Sequence, residues 1–352
     1  MKLGVFLPNW IGDVAMATPA LRAMRKHFGP QARLYGVMRP YVADVLAGTP
    51  WLDEPVFFAP KSPDRELRGF GLIRKLRRLK LDAVLLMTNS LRTAFLAFVG
   101  GARRRIGFAR YGRGPLLTQR LRPPMQDGKL IKHPMVDYYL ELAYALGCPV
   151  ESPRLELATT AEDEHAADLV WSQLKLRGDG RVIVLNSSGA FGAAKLWPPE
   201  YFASLARRAA AQLDHDVLVL CGPSERDIAR TIVGEAKHPR VVSLADHPLS
   251  LGLSKACVRR GKLMVTTDSG PRHFAVAFGV PVVGLFGPTP PIWGENSTAI
   301  ETRLQVAGLE CLGCHERTCP LQHHRCMRDL SVDMVYRAVE ERLRPERRVT
   351  AA

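Results

Sequence analysis

No stretch of this 352-residue chain approaches the roughly 20 consecutive apolar residues that a membrane-spanning helix needs. Its opening, Met1-Lys2-Leu3-Gly4-Val5-Phe6-Leu7-Pro8, is too short an apolar run for a secretory signal, and no cleavage pattern follows it. The expectation is a soluble, cytosolic chain that can touch a membrane without crossing it. No G-x-G-x-x-G follows the first strand and no G-x-x-x-x-G-K-[ST] occurs, which removes the dinucleotide fingerprint and the P-loop. No repeat recurs at solenoid periods. Helix-turn-helix, zinc-finger and RNA-binding aromatic signatures are absent, so nucleic acid is not expected as a partner despite the charge. There is also no convincing D-x-D pair to hold a catalytic cation.

Acidic residues are in short supply: 34 against 49 basic ones, a net charge of +15. That balance points to anionic partners, among them phosphorylated substrates and acidic membrane faces. Hydrophobic residues make up 47% and charged residues 24%, enough to bury ordinary cores. Seven cysteines in a cytosolic chain argue for reduced thiols or metal and not for a disulfide framework.

Strands and helices alternate from the start. Leu3–Leu7, Arg33–Met38, Pro55–Phe58, Asp82–Met87 and Arg104–Gly107 read as strands. Between them, Asp13–Phe28, Tyr41–Ala47, Arg65–Leu79 and Ser90–Val99 read as helices. A Pro- and charge-rich passage, Cys148–Gly180, precedes a second series of strands at Arg181–Asn186, Asp216–Cys221, Arg240–Leu244, Lys262–Thr266 and Pro281–Leu285. The pattern predicts two tandem doubly wound α/β domains, residues 1–155 and 156–330, with a C-terminal helix and tail over 331–352. Ligands in such sheets bind outside the carboxyl ends of the strands.

Four strand ends carry candidate chemistry. Val265-Thr266-Thr267-Asp268-Ser269-Gly270-Pro271-Arg272-His273 runs from a strand into a helix, with cap-forming Thr267, Asp268 and Ser269 and a helix-compatible Pro271. A helix starting there presents N–H groups and partial positive charge to an anion, most often phosphate. Ser187, Ser188, Gly189 and Gly192 make a loop of small residues fit to cradle phosphate oxygens, and Lys195 adds a full charge. Glu225 is either a ribose-binding acid or a first-turn glutamate favoured by the helix dipole. Asp13, after Asn9-Trp10-Ile11-Gly12, is either a plain helix cap or a carboxylate at the sheet edge that serves as a general base.

Two clusters stand apart. Residues 61–113 hold 14 basic and 3 acidic residues, a surplus of 11. Arg65 and Arg68 lie on the expected 65–79 helix, whose Leu67, Phe70, Ile73 and Leu76 are expected to face inward, and Arg105 follows. Such concentration suits a polyanionic substrate or an anionic membrane. Cys311, Cys314, Cys319 and Cys326 have a spacing that can build a closed, structural zinc site, with His315, His323 and His324 as alternative ligands; the other reading is reduced thiols buttressing a loop.

Taken together, Gly-Asp at 12–13, Gly-x-x-Lys-x-Trp-Pro at 192–198 and Thr-Asp-Ser-Gly-x-x-His at 267–273, continuing to Phe286-Gly287-Pro288-Thr289, resemble the lipopolysaccharide heptosyltransferases of glycosyltransferase family 9. The resemblance spans nearly the whole chain. It implies the GT-B architecture, two Rossmann-like domains facing a central cleft. It also implies metal-independent, inverting transfer of heptose from ADP-heptose to the inner core of lipopolysaccharide, at the cytoplasmic face of the inner membrane. By that likeness Asp13 is the catalytic base and Lys195 contacts the diphosphate. Ser187, Ser188, Gly192, Asp268, Ser269, Gly270, Pro271 and His273 hold the donor, with Glu225 on its ribose. The basic first domain, with Arg65, Arg68 and Arg105, takes the anionic acceptor. No cofactor is required for catalysis, and the cysteine cluster sets this chain apart from some branches. The alternatives are a family-9 enzyme using another nucleotide sugar and a non-catalytic binder of nucleotide sugars or polyanions.

Overall fold

The computed structural model describes residues 1–189 and 191–344; Ala190 in the small-residue loop and most of the expected tail, residues 345–352, lie outside the described residues. The chain divides into two compact units. Unit 1 is Met1–Ala158 together with Ile292–Thr298, and unit 2 is Thr159–Pro291 together with the chain from Ala299 onward.

The sheet of unit 1 contains β1 (Lys2–Phe6), β2 (Arg33–Met38), β3 (Glu54–Phe57), β4 (Ala83–Leu86), β5 (Arg104–Phe108) and β6 (Gln119–Leu121). All its pairs are parallel and the spatial order is β3-β2-β1-β4-β5-β6. A small antiparallel hairpin, β7 (Met125–Gln126) with β8 (Lys129–Leu130), follows. Val84, Leu86, Phe6, Val37, Leu72 and Leu76 build one face of the core.

Unit 2 repeats the design with β9 (Val182–Asn186), β10 (Asp216–Leu220), β11 (Val241–Ser243), β12 (Leu263–Thr267), β13 (Val282–Phe286) and β14 (Glu301–Gln305). Its order, β11-β10-β9-β12-β13-β14, is again fully parallel. Every residue of β9, β10, β12 and β13 is buried, which is why these segments read as mostly apolar runs rich in Val and Leu. In both sheets the winding reverses beside the first strand, between β1 and β4 and between β9 and β12. That topological switch point is where doubly wound sheets open a crevice.

Several expectations change in detail. The expected Asp13–Phe28 helix is two helices, Ile11–Met16 and Thr18–Phe28. Pro19 has no N–H for the Ala15 carbonyl, and the Thr18 hydroxyl donates to that carbonyl instead, at 2.7 Å. Asp13 lies in the first turn and does not cap; Trp10 holds the cap position. The expected 65–79 helix is a turn, Arg65–Leu67, followed by a helix at Gly69–Leu79, and the break rotates its face. Leu72 and Leu76 point inward, whereas Phe70, expected inside, is 90% exposed. The edge strands β6 and β14 were not foreseen: they are short or half-buried and rich in polar residues.

Candidate functional site

The switch point of unit 2 is assembled from three loops. Asn186 ends β9 beside Thr266 of β12. Its side-chain amide donates to Thr266 Oγ1 at 2.9 Å and to Ser269 Oγ at 2.7 Å. Ser269 is the cap residue of the helix Gly270–Phe278, yet its hydroxyl is held by Asn186 and makes no capping hydrogen bond. The backbone N–H groups of Ser269 and Gly270 therefore have no acceptor among the described residues, and Pro271 has none to donate. Thr267 Oγ1 donates to the Ser188 carbonyl at 2.6 Å, drawing the small-residue loop onto the same edge. In that loop the buried Ser187 hydroxyl has no partner among the described residues. A buried hydroxyl left open is costly, and a ligand oxygen is a natural complement.

Lys195, on the short turn Ala193–Lys195, is 9% exposed. Its ammonium donates to the Asp268 carbonyl at 2.7 Å and to Asp268 Oδ2 at 3.0 Å. Thr289 Oγ1 donates to the same Oδ2 at 2.6 Å. Arg272, fully buried one helical turn on, reaches Asp268 Oδ1 at 3.4 Å and grips Glu301 of β14 bidentately at 2.6 and 2.9 Å. Arg303 also donates to Glu301, at 2.8 Å. Among the described residues, three cations thus face two carboxylates beside a helix N-terminus. Burial alone would raise the Asp268 carboxyl, but Arg272 and Lys195, with Thr289, hold it down to about 2. His273 is buried, and burial together with the Arg272 charge pushes it down to about 3. It is neutral at physiological pH and contributes hydrogen-bonding capacity but no charge. Arg272 and Glu301 escaped the sequence reading. The signal for Arg272 lay within the 265–273 stretch itself; Glu301 sits on a strand whose polar sequence, Glu-Thr-Arg-Leu-Gln, hides it.

The cysteine loop packs against these loops. Ala194 N donates to the Arg317 carbonyl at 3.0 Å, and His324 Nε2 to the Ala194 carbonyl at 2.8 Å. Gly313 N reaches the Gly287 carbonyl at 3.2 Å, and Phe191 stacks on His315. A Cβ on Gly192 would lie 2.3 Å from the Arg317 carbonyl oxygen, so only glycine permits this approach. The expected zinc site at Cys311, Cys314, Cys319 and Cys326 is not formed: among the described residues no group of three or more His, Cys, Asp or Glu side chains is placed to hold a metal ion. Burial, with the neighbouring Cys311, Cys314 and Cys319, pushes the Cys326 thiol up to about 11. Cys311 Sγ lies 3.9 Å from His323 Nε2.

Glu225 closes its own turn by accepting from Gly222 N at 2.8 Å through Oε2, which leaves Oε1 for a ligand. In unit 1, Asp13 follows β1 and is partly exposed; Tyr139, buried, donates its hydroxyl to Asp13 Oδ1 at 3.0 Å. Arg105 spends its guanidinium on the Leu116 and Ala102 carbonyls, and Arg68 on those of Ser62 and Pro63. Arg65 is exposed.

Two Rossmann-like units in tandem, one carrying an anion-ready helix N-terminus backed by lysine, are the parts of the GT-B architecture. Residues 70–325 match glycosyltransferase family 9 (heptosyltransferase), and the chain belongs to that family. It is 25% identical over 344 residues to lipooligosaccharide heptosyltransferase 2 of Campylobacter jejuni, covering 95% of this chain and 96% of that one. It is 26% identical to lipopolysaccharide heptosyltransferase 2 of Escherichia coli over 83% and 84% of the two chains. The solved E. coli ADP-heptose lipopolysaccharide heptosyltransferase II superposes with a TM-score of 0.76 at 22% identity, covering 97% and 98%. A family-9 glycosyltransferase from Veillonella parvula gives 0.74 at 25%, covering 86% and 85%.

Proposed function

We propose that the protein transfers heptose from ADP-heptose to a sugar of the lipopolysaccharide inner core, with inversion and without a catalytic metal. The carrying observation is the Lys195–Asp268–Arg272 cluster at the head of the Gly270–Phe278 helix, with unclaimed N–H groups and the orphaned Ser187 hydroxyl beside it. The names of the relatives supply the sugar and the nucleotide.

In this reading unit 2 binds the donor. Ser187, Ser188, Gly192, Ser269, Gly270 and Pro271 line the diphosphate, Asp268 orients Lys195, His273 donates a hydrogen bond and Glu225 accepts one from ribose. Unit 1 binds the anionic acceptor. The acceptor hydroxyl oxygen attacks the anomeric carbon while Asp13 takes its proton, and the bond from that carbon to the diphosphate breaks with its electrons leaving on ADP. Attack from the side opposite the leaving group inverts the centre. Lys195 and the helix N-terminus stabilise the charge growing on the diphosphate, the task a cation performs elsewhere. Tyr139 fixes the carboxylate that acts as base.

The acceptor is a lipid, so unit 1 also meets the cytoplasmic face of the inner membrane. Leu91, Phe95 and Phe98 lie on one stripe of the helix Leu91–Val99, each about half exposed (51%, 51% and 50%), within the segment that holds the basic surplus. Aromatic and basic residues on one surface suit an anionic bilayer.

The test is transfer to a truncated core acceptor with a panel of nucleotide sugars, in excess EDTA, with the product's anomeric configuration read by NMR. Transfer from ADP-heptose with inverted configuration is expected. Turnover with only a different donor, or loss of turnover in EDTA restored by a divalent cation, sinks the corresponding clause. Vesicle cosedimentation tests the membrane clause: binding should need anionic lipid and should weaken in Phe95→Ser/Phe98→Ser.

A further inference from the structure

Unit 1 has the same switch point as unit 2, and there the carboxyl ends of β1 and β4 open onto a cavity of about 90 Å³. That is several times the roughly 10–15 Å³ one water occupies, and well short of the ~300 Å³ or more of a site that swallows a whole drug-sized ligand. It fits part of a saccharide, not a nucleotide.

Its lining is apolar at Phe6, Val37 and Phe58 and polar at Asn9, Thr88 and Ser90. Two cations line it, Arg39 after β2 and Arg92 at the start of the helix Leu91–Val99, and no acidic residue does. Arg39 donates only through Nε, to Asn9 Oδ1 at 3.2 Å. Among the described residues, its two terminal nitrogens and the whole Arg92 guanidinium have no acceptor.

A third guanidinium lies against the Thr88 segment of the lining. Arg113 is fully buried and donates to the Phe108 carbonyl at 2.8 Å, to the Thr88 carbonyl and to Asn89 Oδ1 at 2.9 Å, yet among the described residues no carboxylate pairs with it. Burial lowers its pKa to about 10, so it stays charged at neutral pH. With Arg113 bonded to the Thr88 carbonyl of the lining, and Arg39 and Arg92 on the lining itself, the cavity is a place that a negative charge stabilises.

We infer that this cavity is the subsite for the charged sugar of the acceptor. Arg39 and Arg92 take the carboxylate or phosphate oxygens of an anionic pyranose, its hydroxyls meet Asn9 and Ser90, and its apolar face lies on Phe58. The inference deepens the proposed transfer reaction and rests on it for the identity of the saccharide. It moves acceptor recognition away from Arg105, whose guanidinium is committed to backbone carbonyls.

Calorimetry on the full chain tests it with three synthetic core oligosaccharides: phosphorylated, dephosphorylated and carboxyl-reduced. ADP is titrated alongside. Arg39→Ala/Arg92→Ala should weaken the anionic oligosaccharide on the order of 100-fold, because two charge-assisted contacts are lost. ADP should titrate as in wild type, and in turnover the loss should fall on the acceptor KM far more than on kcat. Arg92→Lys should recover part of the affinity. Comparing the three oligosaccharides on wild type identifies which anion the arginines hold. Unchanged oligosaccharide affinity in the double variant overturns the assignment, as does an equal loss of ADP affinity, which would mark a fold-wide effect. A wild type that binds the oligosaccharide but never transfers heptose to it would instead overturn the transfer reading and leave the subsite standing.

Discussion

At the switch point of unit 2, Lys195, Arg272 and Arg303 are locked onto Asp268 and Glu301, and the charge is nearly balanced by the chain itself. At the corresponding point of unit 1, Arg39, Arg92 and Arg113 have no carboxylate partner among the described residues. One strand order thus carries two electrostatic designs. The first is preorganised: donors are fixed before the ligand arrives, so little reorganisation accompanies the growth of charge on a leaving group. The second is incomplete and waits for a ligand's negative charge. The difference suits a site that stabilises a transition state in one unit and a site that captures a ground-state anion in the other.

Variants can break that contrast. Asp13→Ala should cost about 10²–10⁴-fold in kcat, the usual worth of a general base, with ADP affinity intact in a titration. Lys195→Ala should cost about 10²–10³-fold in kcat. Arg272→Met should loosen the cluster, with a loss of about 3–5 kcal/mol in denaturant melts, because buried Glu301 loses its bidentate partner and is left to Arg303 alone, and Asp268 to Lys195 and Thr289. Arg113→Met, equally buried but paired only with neutral oxygens, should lose about 1–3 kcal/mol. Equal losses for the two arginines would erase the distinction between the units. A loss of the same order as for Arg113→Met is expected for Gly192→Ala, about 1–3 kcal/mol of strain against the Arg317 backbone, read as weaker ADP binding with the fold retained.

Acid should act on unit 2 first. His273 is neutral when folded, so its contribution is present above the unfolded pKa near 6.5 and is lost as pH falls from there toward about 3. Asp268 is depressed as well; its contribution is present above about 3.8 and is lost as pH falls toward about 2. It amounts to about 2 kcal/mol. A pH series of melting temperatures should show stability falling below neutrality, with a shallower fall in His273→Gln.

The alternating strands and helices were legible because buried parallel strands can hardly be anything but runs of Val, Leu and Ile, as in Val182–Asn186 and Val282–Phe286. The sheet edges were not, since Gln119–Leu121 and Glu301–Gln305 face partly outward and mix charge with apolar residues. Lys195 and Asp268, singled out on separate loops 73 residues apart, meet at 3.0 Å. Glu301, which fixes Arg272, could not be read because only the fold brings β14 beside β13. Regularity of cysteine spacing was a poor guide to ligand geometry: the loop's contribution lies in backbone contacts through Arg317 and Gly313, which leave no pattern in side-chain identity. The phase of the 65–79 helix failed for a local reason, the break at Arg68 that turns Phe70 outward.

The assignment of Ile292–Thr298 to unit 1, although unit 2 resumes at Ala299, means that the chain passes between the units three times. That short return is anchored at home by the Asn296 side chain, which donates to the Pro153 carbonyl at 2.8 Å. No single cut therefore yields two whole halves. Cleavage after Ala158 leaves the amino-terminal fragment without its last seven residues, and the carboxy-terminal fragment bearing an orphaned loop that belongs to its neighbour. Gene-splitting, complementation or domain-exchange experiments with this protein must carry that heptapeptide along or graft it back.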